Sequence, residues 1–387
     1  MDKRFHVAGL TPFTPLAEAA PALLRFKAEP FFALEEAARS GADADAVHDM
    51  RVASRRLREA MRLLEPLYPG REFRAWYKQV RRVTRALGPV RDSDVFIDYF
   101  GRLGGGLGDG GKRAVAFIVG YRAGQRVHEL ATLNRELAAL DLERSRREFD
   151  SMSHAVARTA AATMPFGSFA HAAVAERAAA VFGAQPAALV EENVAQQHAL
   201  RIDYKRLRYA VEAFASCYGE AFGELHTVLT AFQDALGDLH DVHVFLEVLR
   251  APERVAAAGQ AGVSAADRAE LEALLESRAA EAFQRFATLA IEHPAEALLP
   301  ALLLPLARLP EPEVAQVEDD EMAVHADISP EGAAFDAADA TALEPELEDL
   351  AVVSPVVVGD EPWAAPWDAG EVVVTIDGDE PGSAPGE

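Results

Sequence analysis

The sequence predicts an all-α fold: two helical bundles related by a pseudo-two-fold axis, followed by a disordered acidic tail. Residues 16–308 are rich in Ala, Leu, Glu and Arg, with apolar residues at three- and four-residue steps and no convincing alternating strand pattern. One motif recurs at an offset of 150 residues. Beyond Arg308 there is no further Lys or Arg, and residues 309–387 hold nine prolines and 22 acids without helical period. Such a segment buries too little surface to offset the entropy of ordering it.

Met1 to His6 is basic, but Pro12, Pro15, Glu18 and Pro21 follow it instead of a long apolar run, so no secretory signal is expected. Helix breaks are expected at Gly41, Pro66–Gly70, Gly101–Gly111, near Pro165, at Gly183–Pro186, near Gly219 and Gly223, and around Ala251–Val263. They divide the chain into roughly eight helices, enough for two bundles. The halves are expected at residues 10–160 and 161–308, with the tail at 309–387. No uncharged apolar stretch reaches the roughly 18 residues of a membrane span. The single cysteine, Cys217, excludes an internal disulfide and a multi-Cys metal site. The expectation is a soluble, cytoplasmic protein.

The formal net charge of −24, from 38 bases and 62 acids, would ordinarily argue against a polyanion partner. It belongs mainly to the tail, since residues 1–308 hold 40 acids and 38 bases. Two of the three tryptophans, Trp363 and Trp367, also lie in the tail, ahead of the strand-like run Val372-Val373-Val374-Thr375-Ile376. The tail is read as a solubilising extension. Its other readings are a docking segment and a polyanion mimic tethered beside a polyanion site.

The repeat reads His48-Asp-Met-Arg51-Val-Ala-Ser-Arg55-Arg56-Leu57-Arg58 in its first copy and His198-Ala-Leu-Arg201-Ile-Asp-Tyr-Lys205-Arg206-Leu207-Arg208 in its second. A later pair, Leu87-Gly88-Pro89-Val90-Arg91-Asp92 and Leu236-Gly237-Asp238-Leu239-His240-Asp241, matches at an offset of 149. On a helix, His48, Arg51, Arg55, Arg58 and Arg62 fall within about 80° of one another. Met50, Leu57, Met61 and Leu64 form an apolar stripe roughly 150° away. In the second copy His198, Arg201, Lys205 and Arg208 form the basic face, with Leu200, Tyr204, Leu207, Val211 and Phe214 opposite. Glu212 stands where Arg62 stood. The next helix adds Lys78, Arg81, Arg82 and Arg85, and its counterpart is far less basic, so the first half should supply more positive charge.

Guanidinium groups present rigid forked donors to phosphate oxygens and stay charged at physiological pH. A row of them suits a repeating anion better than one small ligand. Among such cations a protonated His48 or His198 is disfavoured, leaving each as a neutral hydrogen-bond donor or a steric guide. The Leu-Gly segments are expected to open the following helices, with Gly as a turn. Asp92, Asp94 and Asp241 are expected to orient ladder arginines.

On these paired His-x-x-Arg-x-x-x-[Lys/Arg]-[Lys/Arg]-Leu-Arg motifs and their Leu-Gly partners, the chain resembles the CHAD family over approximately residues 10–308. The resemblance implies two four-helix bundles with pseudo-two-fold symmetry and a basic surface or cavity between them. It also implies binding of inorganic polyphosphate and association with polyphosphate granules or, in some members, polyhydroxyalkanoate granules. No CYTH-type triphosphate-processing pattern is seen, so the chain reads as a stand-alone member. The second copy departs from the pattern at His240 and Glu212.

The expectation is a non-catalytic polyphosphate-binding module, without cofactor or metal, using His48, Arg51, Arg55, Arg56, Arg58, Arg62, Lys78, Arg81, Arg82, Arg85, His198, Arg201, Lys205, Arg206 and Arg208. Two other readings use the same residues. One is a divalent-metal phosphohydrolase built on His48-Asp49 and His240-Asp241, disfavoured because arginines repel the cation. The other is sequence-independent nucleic-acid binding, for which stacking platforms beyond Trp76, Tyr77 and Tyr209 are not evident. Gly106-Leu-Gly-Asp-Gly-Gly111-Lys112-Arg113 approximates a P-loop, but Arg113 stands where Ser or Thr would bind magnesium and no strand precedes it. A flexible interhelical linker is expected there. Oligomeric state is not legible.

Overall fold

The computed structural model describes residues 4–307 except Ala42 and Asp141, so the expected tail at 309–387 lies outside the described residues. The helices of the first half are α1 (Leu16–Ala33), α2 (Glu35–Ser40), α3 (Ala44–Leu64), α4 (Arg71–Arg102), α5 (Asp109–Ala138) and α6 (Leu142–Ser153). Those of the second are α7 (Phe166–Ala188), α8 (Val194–Ala213), α9 (Ala215–Tyr218), α10 (Ala221–Arg250), α11 (Pro252–Gln260), α12 (Ala265–Glu292) and α13 (Ala295–Ala307). Short 3₁₀ turns complete the chain, and no strand occurs among the described residues. No single described helix is long and apolar enough to cross a membrane.

Local chemistry places many of the ends. The Asp43 side chain accepts from Asp45 N to start α3. Ser264 and Asp267 form a reciprocal capping box at α12. Gly41 closes α2 in the left-handed region at φ 60°, where a side chain would be strained.

Other expected breaks are overridden. Helix α7 runs through Gly183 and Pro186 to Ala188, because Val181 and Gln185 are buried there and Gln185 Oε1 accepts from Tyr204 of α8 at 3.1 Å. Gly223 lies inside α10. The Leu-Gly segments open no helix: Leu87-Gly88-Pro89 lies within α4 and Leu236-Gly237 within α10. Packing of apolar faces outweighs the roughly 1 kcal/mol that a helical glycine costs relative to alanine.

The order of the long helices in the first half recurs in the second, and so do their pairings. Helices α1 and α3, α3 and α4, and α4 and α5 pack together, as do α7 and α8, α8 and α10, and α10 and α12. Across the halves α3 packs on α8 and α5 on α12. Leu16 N donates to Met164 O at 2.9 Å and Phe166 N to Thr14 O at 2.9 Å, a reciprocal exchange between positions 150 apart.

The apolar interior is not divided at the repeat boundary. The larger core joins Leu23, Met50, Leu57 and Val80 to Leu200, Tyr204, Leu207 and Phe232. A second core, at the far ends of the long helices, joins Phe96, Phe100 and Ile118 to Phe245, Leu249 and Leu271. The stripes read from the sequence lie in the larger core: Met50, Leu57, Met61, Leu64, Leu200, Tyr204, Leu207, Val211 and Phe214 are all fully buried.

Candidate site at the seam of the motif helices

With their apolar stripes in the core, α3 turns its basic side toward α4 and α8 turns its own toward α10. Arg51, Arg55, Arg56, Arg58 and Arg62 on α3 are half-buried. Arg51 Nη2 reaches Asp92 Oδ1 at 3.4 Å. A Cβ at Gly88 would lie 2.6 Å from Arg51 Nη1, so this glycine lets the Arg51 guanidinium approach α4. That contact, rather than a turn, is the part Gly88 plays in the motif. Gly237 has open space instead.

On α8, Arg201 is half-buried while Lys205 and Arg208 are buried. Arg208 donates to Gln233 Oε1 at 2.7 Å and pairs with Glu212, which is fully buried. Glu212 also accepts from Arg56 Nε of α3 at 2.6 Å and contacts His226 Nε2 of α10 at 3.0 Å. Its backbone carbonyl accepts from Lys27 Nζ of α1 at 3.3 Å. Burial works against the Glu212 carboxylate, but the His226 hydrogen bond and the Arg208 and Arg56 charges outweigh it, holding the group down at about 2. Lys27 is lowered to about 8, chiefly by burial.

A second buried acid braces the other side. Arg177 of α7 donates to Glu59 Oε1 of α3 at 2.7 Å, and Arg62 reaches Glu59 Oε2 at 3.5 Å. Lys27 and Arg177 are 150 residues apart. Each is a base on the first long helix of its half, directed at the motif helix of the other half. Extending the repeat comparison upstream of the motifs would have found this pair, whereas nothing local marks Glu59 or Glu212 as buried.

The remaining predicted residues separate by environment. Lys78, Arg82 and Arg85 are exposed along α4 and Arg81 is half-buried. Arg82 pairs with Glu136 of α5 at 2.6 Å, and Arg206 reaches Asp203 at 3.4 Å. Arg62 also reaches the Tyr77 hydroxyl at 3.4 Å, and Arg58 lies over the Tyr77 ring.

Two histidines of the motif segments, His48 and His240, are kept toward their neutral forms. His48 is lowered by burial first and by Arg91 next. His198 Nδ1 lies 3.0 Å from His240 Nδ1, a hydrogen bond that requires a proton on only one of the two atoms. Burial, with Arg201 and His198 beside it, lowers His240 to about 2. The expectation from like charge is therefore joined by a larger desolvation effect.

Asp92 holds the ladder residue Arg51 as expected, whereas Asp94 pairs with Arg126 of α5, which lies outside the ladder. Asp241 is different. Burial lifts its carboxyl to about 6 against the opposing charges of Arg201 and Arg51. The glycine-rich P-loop-like segment is no loose linker at its core. Gly108 N and Gly111 N donate to the Glu270 carboxylate at 2.7 and 2.9 Å, and Arg113 pairs with Asp267 at 2.9 Å. No cluster of three or more His, Cys, Asp or Glu fit to hold a metal occurs among the described residues.

The comparisons with known proteins agree with this architecture. The chain is similar to the crystal structure of the CHAD domain from the plant Ricinus communis, with a TM-score of 0.51 and 23% identity over 80% of this chain and 97% of that one. It is also similar to PptA from Streptomyces chartreusis, with a TM-score of 0.53 and 19% identity over 71% of this chain and 99% of that one. At those identities the likeness shows the fold. No curated protein matches the chain. The CHAD domain family model matches residues 22–250, which include both motif helices and both Leu-Gly segments, and the chain therefore belongs to the CHAD family, a family associated with polyphosphate binding.

Proposed function

We propose that the protein is a non-catalytic binding module for long-chain inorganic polyphosphate, recruited through it to polyphosphate granules. The observation that carries this reading is the meeting of the two motif helices: α3 packs on α8, and Arg56 of one copy pairs with Glu212 of the other at 2.6 Å. A chain of phosphates lying along this seam would pass from one ladder to the other. Arg51, Arg55, Arg58 and Arg201 are its contacts, with His48 and His198 as neutral groups beside them. Lys78, Arg81 and Arg85 extend the basic track along α4. Arg56 and Arg208, held by Glu212, form the frame instead of touching the ligand. In this reading the two halves are related by a pseudo-two-fold axis and form one site together.

Binding of this kind releases counterions, so its affinity falls steeply with salt and with shorter chains. Titration of polyphosphates of several lengths against the wild type and an Arg51/Arg55/Arg58→Ala variant is the test. Loss of three contacts should reduce the slope of log affinity against log salt by about 2 and weaken binding by about 100-fold or more at low salt. Unchanged affinity in the variant would remove this face from the assignment. Phosphate release with added magnesium would restore the hydrolase reading, and competition by RNA at equal charge the nucleic-acid one.

A further inference from the structure

The first half of α4 is strongly cationic, with six bases against Glu72 alone between Arg71 and Arg85. Other solvent-facing helices carry their arginines among acids. Helix α6 sets Arg144, Arg146 and Arg147 against Glu143, Glu148 and Asp150, and α12 sets three arginines against six acids. The track on α3 and α4 is open to a partner: Lys78 and Arg85 are exposed, and Arg51, Arg55, Arg58 and Arg81 are half-buried. The chain itself supplies a counter-charge. Residues 311–344 hold eleven acids and no Lys or Arg, with Glu318-Asp319-Asp320-Glu321 in one run, and lie outside the described residues. They follow α13, which ends at Ala307. Helix α13 packs on α7, and Arg177 of α7 donates to Glu59 of α3, so α7 is the helix between α13 and the first ladder. As a chain without order of its own, which its composition predicts, the segment would place Glu318 roughly 17 Å and Glu344 roughly 33 Å from that end on average. These lengths are on the scale of a domain of about 300 residues, whose radius of gyration is roughly 19 Å.

We propose that the acidic segment at residues 311–344 occupies the basic track of α3 and α4 in the free protein, and that a polyphosphate chain binds by displacing it. This rests on the polyphosphate reading above. The two anions are unequal. The segment carries acids at only eleven of its positions, whereas polyphosphate carries a charge on every phosphate. A long chain therefore makes more contacts per length of track and wins the exchange. A tethered competitor at an effective concentration of about 1 mM, binding its track with a Kd of about 0.1 mM, lowers the apparent affinity about tenfold. Short phosphates and sparsely charged acidic peptides gain too few contacts to displace it. The segment thus sets a threshold of length and charge density for entry to the site. Salt screens the internal contact, so the restraint is strongest at low ionic strength.

Two measurements on the full chain test this. The first neutralises acids in place, with Glu311/Glu313/Glu318/Glu321→Gln and Asp319/Asp320→Asn, all outside the described helices. Titrated with long-chain inorganic polyphosphate at low salt, the variant should bind about tenfold tighter than the wild type, and the two should converge as salt rises. The second measurement locates the segment. A carbodiimide joins a carboxyl to an amine in direct contact, and Lys78 on the track and Lys112 on α5 are both exposed amines. Links from residues 311–344 within one chain should form to Lys78 in preference to Lys112, and added polyphosphate should suppress them. Equal affinity in the two proteins, or links without preference for Lys78, overturns the proposal and leaves the polyphosphate reading standing. In the second case, diffuse repulsion by the tail accounts for any gain in affinity. Links to Lys78 that persist under saturating polyphosphate overturn the displacement. Absence of polyphosphate binding in both proteins overturns the polyphosphate reading and the competitor role with it.

Discussion

Helices α3 and α8 carry the same motif, yet they meet different environments. On α3 the basic face remains partly open, with side-chain exposures of 16% and 23% at Arg51 and Arg62. On α8 the corresponding face closes inward, and Arg208 is 9% exposed against a Glu212 at 0%. A single acid explains much of the difference. Where the first copy has Arg62, the second has Glu212, and this carboxylate gathers Arg56, Arg208 and His226 from three helices. The lesson is that a basic ladder can serve either as a contact surface or as a frame, and that its neighbours decide which.

The strongest way to break this comparison is to remove the buried acids. Deleting one partner of a buried ion pair leaves an uncompensated charge and costs about 3–5 kcal/mol. Glu212→Ala should incur that loss, read as a lowered midpoint in urea or thermal unfolding. Glu59→Ala should lose less, because Arg62 retains the Tyr77 hydroxyl and Arg177 the carbonyl of Ala173. Equal losses would remove the distinction between an anchored and an open motif helix. The Glu212 carboxylate titrates lower folded than unfolded. Its stabilisation is therefore present above its ordinary range near 4.5 and is lost as pH falls toward 2.

The Asp92 and Asp241 positions sharpen the comparison at a smaller scale. The Asp241 carboxyl is raised from 3.8 to about 6, so the folded state holds more protons than the unfolded state between those values. Its contribution to stability accordingly falls as pH rises through that window, and the penalty is complete above it. Asp241→Asn should raise the unfolding midpoint at pH 7.5 by an amount worth about 1–2 kcal/mol, and the gain should vanish below about pH 4.

The glycines give the smallest effect and the sharpest sign. Gly237→Ala meets open space on α10 and should stabilise the helix by up to about 1 kcal/mol. Gly88→Ala pushes against the Arg51 guanidinium, which must swing away from α4. It should gain less stability and lose polyphosphate affinity, whereas Gly237→Ala keeps it. Affinity and thermal midpoint measured together on both variants separate the two.

The predicted apolar stripes became the centre of the core because helical periodicity is a property of the backbone and needs no partner to be read. The breaks at Gly41 and Pro165 are legible for the same reason, since each reflects a local backbone constraint. Gly183-Pro186 and Leu87-Gly88-Pro89 misled because neighbouring helices hold those turns in register. The bases along the two motif helices are legible in the sequence as a set, but their division into framed and accessible groups is not. Arg56 is set apart from Arg51 by its pairing with Glu212, 156 residues away along the chain.

By itself, then, the sequence determined the helical class, the doubled motif and the chemistry of its faces, because period and residue type are local quantities. Tertiary structure alone decided which acid neutralises which base across helices, that both cores are shared between the halves, and that Gly88 is a place of close approach. Those outcomes depend on distances across helices that no spacing along the chain encodes. Burial then fixes which of two equivalent carboxyls, Asp92 or Asp241, is the one lifted toward neutral pH.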